Sequence, residues 1–155
     1  MTAIEVEKIE AEVTFLSKAG GCGREIIPIL NGNWYRPHVV IGDPNQRKVV
    51  LKSHTYEIEN PDGSKSQHTT DNWSDEEYIG VMFDAGPVSF NFGMPIRVKL
   101  TLAFWPAPQY EKLQPDVTFT VREGSNVIGY GRVLSDRFAE PMDKTPRPEV
   151  WPPAV

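Results

Sequence analysis

Apolar and polar residues alternate with a period of two along several stretches of this chain. In Arg97-Val98-Lys99-Leu100-Thr101-Leu102-Ala103-Phe104 the even positions are apolar and the odd ones are mostly polar or small. Successive side chains of a β-strand point to opposite faces, so this spacing predicts a half-buried strand. Val117, Phe119 and Val121 alternate with Thr118, Thr120 and Arg122 in the same way. Ala11, Val13 and Phe15 alternate with Glu12 and Thr14, and Leu16 breaks that run. Helical periodicity is nearly absent. Between the strand ending near Val121 and another over residues 127–134, Glu123-Gly124-Ser125-Asn126 has the Gly-containing chemistry of a hairpin turn.

Fourteen prolines and twelve glycines divide the chain into short pieces and oppose long helices. Many short strands joined by Gly/Pro turns predict an all-β sandwich or barrel, and a barrel is favoured because closure leaves no open edges. Pro106 and Pro108 are expected to end the strand that begins at Arg97. Asn60-Pro61-Asp62-Gly63-Ser64-Lys65 is a strong turn, so residues 52–80 are expected to form a hairpin or mobile loop extending from the barrel. The Pro-rich stretch with Pro141, Pro146, Pro148, Pro152 and Pro153 is expected to be extended or disordered, with Trp151 as a surface anchor. The expected organisation is one domain over residues 1–140 and a tail over 141–155, without internal repeats.

The chain has 155 residues, enough to bury a core without disulfides. No apolar run approaches the roughly 20 residues that cross a bilayer, so no membrane association is expected. The single cysteine, Cys22, together with an N-terminus lacking a hydrophobic signal-like core, points to the cytoplasm. The net charge of -5 is unevenly placed. Residues 52–80 hold seven acids (Glu57, Glu59, Asp62, Asp71, Asp75, Glu76, Glu77) and two bases (Lys52, Lys65), a balance of -5. The remainder, with 14 bases and 14 acids, is neutral. That balance argues against non-specific nucleic-acid binding, which relies on a surplus of cations.

Three strings in order carry a family resemblance. The first is Glu10-Ala11-Glu12-Val13-Thr14-Phe15-Leu16-Ser17-Lys18 with a Gly-rich turn ending in Arg24; the second is Tyr35-Arg36-Pro37-His38. The third is Val121-Arg122-Glu123-Gly124 followed by Val127-Ile128-Gly129-Tyr130-Gly131-Arg132-Val133. Together they resemble the C-terminal (third) domain of elongation factor Tu, over about 9–51 and 81–137, with the acidic segment as an insertion. The resemblance implies a closed antiparallel six-stranded β-barrel and a translation-related binding module. The GTPase domain would be missing, since the chain has no phosphate-loop motif. In that family the domain contacts aminoacyl-tRNA, an exchange partner and the GTPase domain. The positions matching the RNA face are Arg24, Arg36, His38, Glu123 and Gly124. His38 stands where the family has glutamine, and Ser125-Asn126 replaces a glycine and a cation.

The residue types leave three readings open. The first is a non-catalytic binding or regulatory module for an unknown protein partner or for self-association. The second is RNA binding through Arg24 and Arg36, whose guanidinium forks suit phosphates, with the acidic segment repelling phosphate if it lay over them. The third is an enzyme whose site the barrel hosts, for which His38, His54 and Cys22 are the candidates. No catalytic residue, metal or cofactor is assigned: His54, Glu57, His68 and Asp71 have no zinc-like spacing. Trp34, Trp73, Trp105 and Trp151 are expected as core or lid aromatics rather than base-stacking platforms.

Overall fold

The alternation at Ile9, Ala11, Val13 and Phe15 becomes one wall of a barrel, with all four side chains fully buried. The computed structural model describes residues 4–49, 51–104 and 107–142, with the side chains of 4–6, 71–73 and 141–142 set aside. Its strands are β1 (Ile4–Phe15), β2 (His38–Ile41), β3 (Lys52–Glu59), β4 (Lys65–Trp73), β5 (Ile79–Ala85), β6 (Pro95–Leu102), β7 (Thr118–Glu123), β8 (Asn126–Val133) and β9 (Phe138–Met142). Neighbours run β6-β5-β2-β7-β8-β1, and β1 pairs again with β6, closing a six-stranded antiparallel barrel. The all-β barrel expected from the alternation is therefore what the chain forms. β9 adds to the N-terminal half of β1, and β3 and β4 make a separate two-stranded sheet.

The inside is filled by Phe15, Phe83, Phe119, Val121, Val98, Leu100, Ile128 and their neighbours. β8 contributes glycines at two inward positions. A Cβ on Gly131 would meet the Glu12 carbonyl oxygen at 2.4 Å and the Phe119 ring at 2.8 Å. The missing side chain thus lets β8 approach β1 while the Phe119 ring takes the interior, the close approach that glycine in a strand signals.

Both ends are plugged. At one end the Pro108–Lys112 3₁₀-helix inserts Tyr110, whose hydroxyl donates to the Gly80 carbonyl at 2.7 Å and accepts the Phe104 N–H at 2.7 Å. Burial raises the Tyr110 hydroxyl above the ordinary phenol range. At the other end Leu30 and Phe90 are buried, and Phe15, Tyr35, Phe83 and Phe90 form a tilted aromatic cluster with centroids 5.2–6.2 Å apart.

Four expectations change. β6 stops at Leu102, and Pro108 opens the 3₁₀-helix rather than closing a strand; proline fits a first helical position because its missing N–H would have no partner there. Phe104, expected to face inward, is 65% exposed. Lys99, Thr101, Thr120 and Arg122, expected on a solvated face, are buried because other segments cover the outside of the barrel at those points. The expected tail begins as β9, whose Glu140 and Pro141 register with Val6 and Glu5. Trp105, Pro106, Pro146, Pro148, Trp151, Pro152 and Pro153 lie outside the described residues, as do the side chains of Asp71, Trp73 and Pro141.

Candidate functional site

Three connections gather at one end of the barrel: residues 16–37 after β1, 86–94 after β5 and the two-residue turn after β7. The first begins as a tight Gly-rich turn. Lys18 and Arg24 are joined by the Lys18 N–H to Arg24 carbonyl bond at 2.9 Å, and Ala19 and Cys22 exchange backbone bonds at 2.9 and 3.1 Å. Gly23 has φ +88°, and a Cβ there would lie 2.2 Å from the Ser17 carbonyl oxygen, so only glycine fits. The Asn126 amide donates to the Gly23 carbonyl at 3.0 Å and ties this turn to the β7–β8 turn.

Here the structure brings Arg24, Glu123 and Gly124 into one neighbourhood. The Arg24 Nε lies 3.1 Å from Glu123 Oε2, and its guanidinium sits 5.1 Å from the centre of the Tyr35 ring. The Tyr35 hydroxyl donates to the same carboxylate oxygen at 2.5 Å. Burial and then this bond to Glu123 push the Tyr35 hydroxyl far above its ordinary range, so it stays a donor. Arg36 is exposed and donates Nε to the Asn33 carbonyl at 3.1 Å. His38 opens β2, in register with Arg122 and Gly80, with its ring edge-on to Tyr78 at 5.8 Å.

Beyond the Gly-rich turn, the loop over 25–36 is pinned to the 86–94 loop. The Asn31 amide donates to the Gly86 carbonyl at 2.9 Å, and the Gly86 N–H returns to Asn31 Oδ1 at 3.3 Å. Leu30 packs into the space that a Gly86 side chain would occupy. With their inner residues committed to the plug, the two loops leave five large apolar side chains outside: Ile26 (71% exposed), Ile29 (70%), Trp34 (68%), Val88 (66%) and Met94 (41%). Trp34 is thus a surface aromatic, against the expectation of a core or lid role. It alternates with Tyr35, which takes the inner side of the same extended segment.

On the barrel wall, two buried cation centres hold covering segments. Lys8 Nζ and Asp84 Oδ2 pair at 2.9 Å with side chains 0% and 2% exposed. Asn33, a non-glycine residue at φ 61°, donates to Asp84 at 3.4 Å and accepts from the Thr101 hydroxyl at 2.9 Å. Glu140 of β9 reaches Lys99 at 3.0 Å and Lys8 at 3.8 Å. Arg122, also fully buried, donates Nη2 to Glu76 Oε2 at 2.9 Å and to Gln46 Oε1 at 3.2 Å. It further donates Nη1 to Glu76 Oε1 at 3.3 Å and to the Tyr78 hydroxyl at 3.1 Å, and Nε to the Thr120 hydroxyl at 2.8 Å. The bonds from Arg122 hold the Glu76 carboxyl below its ordinary range. Gln46 precedes the β3–β4 hairpin and Glu76 follows it, so one arginine grips both of its stems.

An open groove of about 280 Å³ lies beside this clamp, lined by Val40, Ile41, Glu76, Glu77, Ile79 and Lys112. Its carboxylates are occupied: Glu76 by Arg122 and Glu77 by Lys112 at 3.0 Å. Asp75 pairs with Lys52 at 2.5 Å, so three of the seven acids of segment 52–80 belong to ion pairs at the hairpin root. Cys22, His38 and His54 lie on three different elements: Cys22 Sγ donates to the Ala19 carbonyl at 3.3 Å, and His54 stacks on Tyr56. No family model, no curated protein and no solved structure matches the chain. No helix among the described residues is long and apolar enough to cross a membrane.

Sequence reasoning named Arg24, Arg36, His38, Glu123 and Gly124 from a string resemblance and missed Tyr35, Arg122 and the exposed Ile26, Ile29 and Val88. The one signal for Ile26 and Ile29 was the apolar run within a loop, Ile26-Ile27-Pro28-Ile29-Leu30, of which only part was needed for the core.

Proposed function

We propose that this chain is a non-catalytic protein-binding module whose docking surface is the apolar loop end of the barrel. The observation that carries this reading is the set of five large apolar side chains on two loops held together by the Asn31–Gly86 bonds. Scattered surface hydrophobics need no explanation, but five on two loops joined by hydrogen bonds support an interaction site there. Trp34 has the size and rigidity of an interface anchor. The resemblance to the third domain of elongation factor Tu supports the same reading, because that domain functions by packing against neighbours. RNA binding is the lesser reading: Arg24, its principal cation, is already neutralised by Glu123 and packed on Tyr35.

The test is affinity capture from native lysate with the wild-type chain and with an Ile29→Asp/Val88→Asp variant, both exposed positions whose change leaves the plug intact. A protein retained by the wild type and lost by the variant is the expected result. Retention of RNA, abolished by Arg24→Ala and unaffected by the double variant, would replace this reading with the RNA one. Equal retention by both proteins would contradict the assigned surface.

A further inference from the structure

Every described position of β3, and nearly every one of β4, is exposed, so this hairpin presents both faces and both edges to solvent. Among the described residues, β3 and β4 pair only with each other. A two-stranded hairpin is marginal by itself, and a long open edge is a template for another strand.

The direction of the backbone groups follows from the turn. The Asn60 N–H donates to the Ser64 carbonyl at 2.7 Å. Asn60–Ser64 is thus a hydrogen-bonded pair, and such pairs recur at every second residue of an antiparallel ladder. Ile58 and Tyr56 therefore turn their backbone groups towards β4. Thr55, Glu57 and Glu59 turn theirs outward.

The two faces differ. Tyr56 registers with His68 and Ile58 with Ser66, and the His54, Tyr56 and His68 rings stack with centroids 6.0 and 5.8 Å apart. The opposite face carries Thr55 bonded to Thr69 at 3.1 Å, with Glu57 beside Gln67 and Glu59 beside Lys65. Tyr56 and Ile58 are 42% and 40% exposed.

We propose that the chain forms a two-fold homodimer in which the β3 edge pairs antiparallel with the β3 edge of a second copy, centred on Tyr56. Outward N–H and C=O groups must meet each other across the new seam, which restricts opposed residues to the same parity. With Tyr56 opposite Tyr56, Thr55 of one copy faces Glu57 of the other and both exchange backbone bonds. On the ring-bearing face, Ile58 falls opposite His54, giving a continuous stripe of His54, Tyr56 and Ile58 from both copies. On the polar face each Glu57 faces a threonine, so no like charges stand directly opposite. The β4 edge offers no such stripe, since Ser66 and Thr70 flank His68. Pairing β3 with β4 of another copy would not close and would propagate. This interface is independent of the loop-end surface proposed above, so either can fail alone.

The test is sedimentation velocity of the full chain across a concentration series, with two single variants. Thr55→Pro removes an outward N–H and, apart from the Thr55–Thr69 hydroxyl bond, leaves the β3–β4 backbone ladder in place; Gln67→Pro removes an outward N–H on the β4 edge, where proline is tolerated. The wild type and Gln67→Pro are expected to reach twice the 17.5 kDa of one chain. Thr55→Pro is expected to weaken association by about thirtyfold or more through two lost inter-chain bonds. A wild type that remains monomeric at every concentration overturns the proposal. So does an equal loss of dimer in both variants, or a Thr55→Pro dimer as tight as the wild type. Near-UV circular dichroism of the barrel aromatics, unchanged in the variants, shows that the fold is intact.

Discussion

The barrel wall and the β3–β4 hairpin use the same local code and meet opposite fates. Both alternate residue by residue in antiparallel pairs, yet every residue of β5 is buried and every residue of β3 is exposed. The difference lies in what covers each surface. β5 has the core on its inside, the 31–37 segment bonded along its edge at Val81, Phe83 and Asp84, and on its outer face Lys8 paired with Asp84 and the Phe104 ring lying against Gly80. Among the described residues, the hairpin is linked to the barrel at its root, where Arg122 clamps Gln46 and Glu76. Period-two alternation thus identifies a strand without telling how many of its faces are covered, and the barrel and the arm become energetically separable.

The largest test of that separation is Asp84→Ala. It leaves the Lys8 ammonium buried without its 2.9 Å partner, and breaking such a pair from one side costs about 3–5 kcal/mol. Chemical denaturation should show that loss in the cooperative barrel transition. A loss below about 1 kcal/mol would mean that Glu140 or water compensates Lys8.

Glu76→Ala comes next, removing two charge-assisted bonds from Arg122 and costing about 2 kcal/mol. The loss should release the hairpin stems before it reaches the core, seen as a change at Tyr78 and Gln46 in NMR spectra while Phe83 and Phe119 keep their shifts. The same contact sets a pH dependence. Because folding lowers the Glu76 pKa, its contribution is fully present above the unfolded value of about 4.3 and is lost as pH falls through the folded value. Acid should therefore loosen the root, and Glu76→Gln should flatten that response. An identical acid profile in Glu76→Gln would remove the carboxylate from the account.

Ile58→Ser should have the smallest effect, within about 0.5 kcal/mol for the barrel, since the residue packs on nothing in the core. A larger loss would show that the ring-bearing face of the hairpin touches the barrel.

Particular residues show where the sequence was legible. The alternations at Ala11–Phe15, Val98–Leu102 and Phe119–Val121 mark strands whose inward members are all buried, and the hairpin turn at Glu123–Asn126 joins β7 to β8. Asn60–Lys65 is likewise the turn of a hairpin. What the pattern did not reveal is burial on the outer face. Lys99 and Arg122 read as solvated charges, because the segments that cover them are distant in sequence: Glu140 is 41 residues from Lys99, and Glu76 is 46 from Arg122. β9 escaped notice because its proline-containing sequence reads as an irregular tail. Trp34, expected as a core or lid aromatic, is exposed because the inner place of its alternating segment belongs to Tyr35.

The most direct test of the barrel-and-arm account is to replace residues 53–72 with a short Gly/Ser link and measure thermal unfolding. Lys52 and Trp73 are already paired at the base, so the link joins neighbouring ends. If the barrel owes nothing to the arm, the midpoint stays within about 4 °C of the wild type, equivalent to roughly 1 kcal/mol. Loss of the cooperative transition, or a much larger fall, would contradict the account and make the hairpin part of the folding unit.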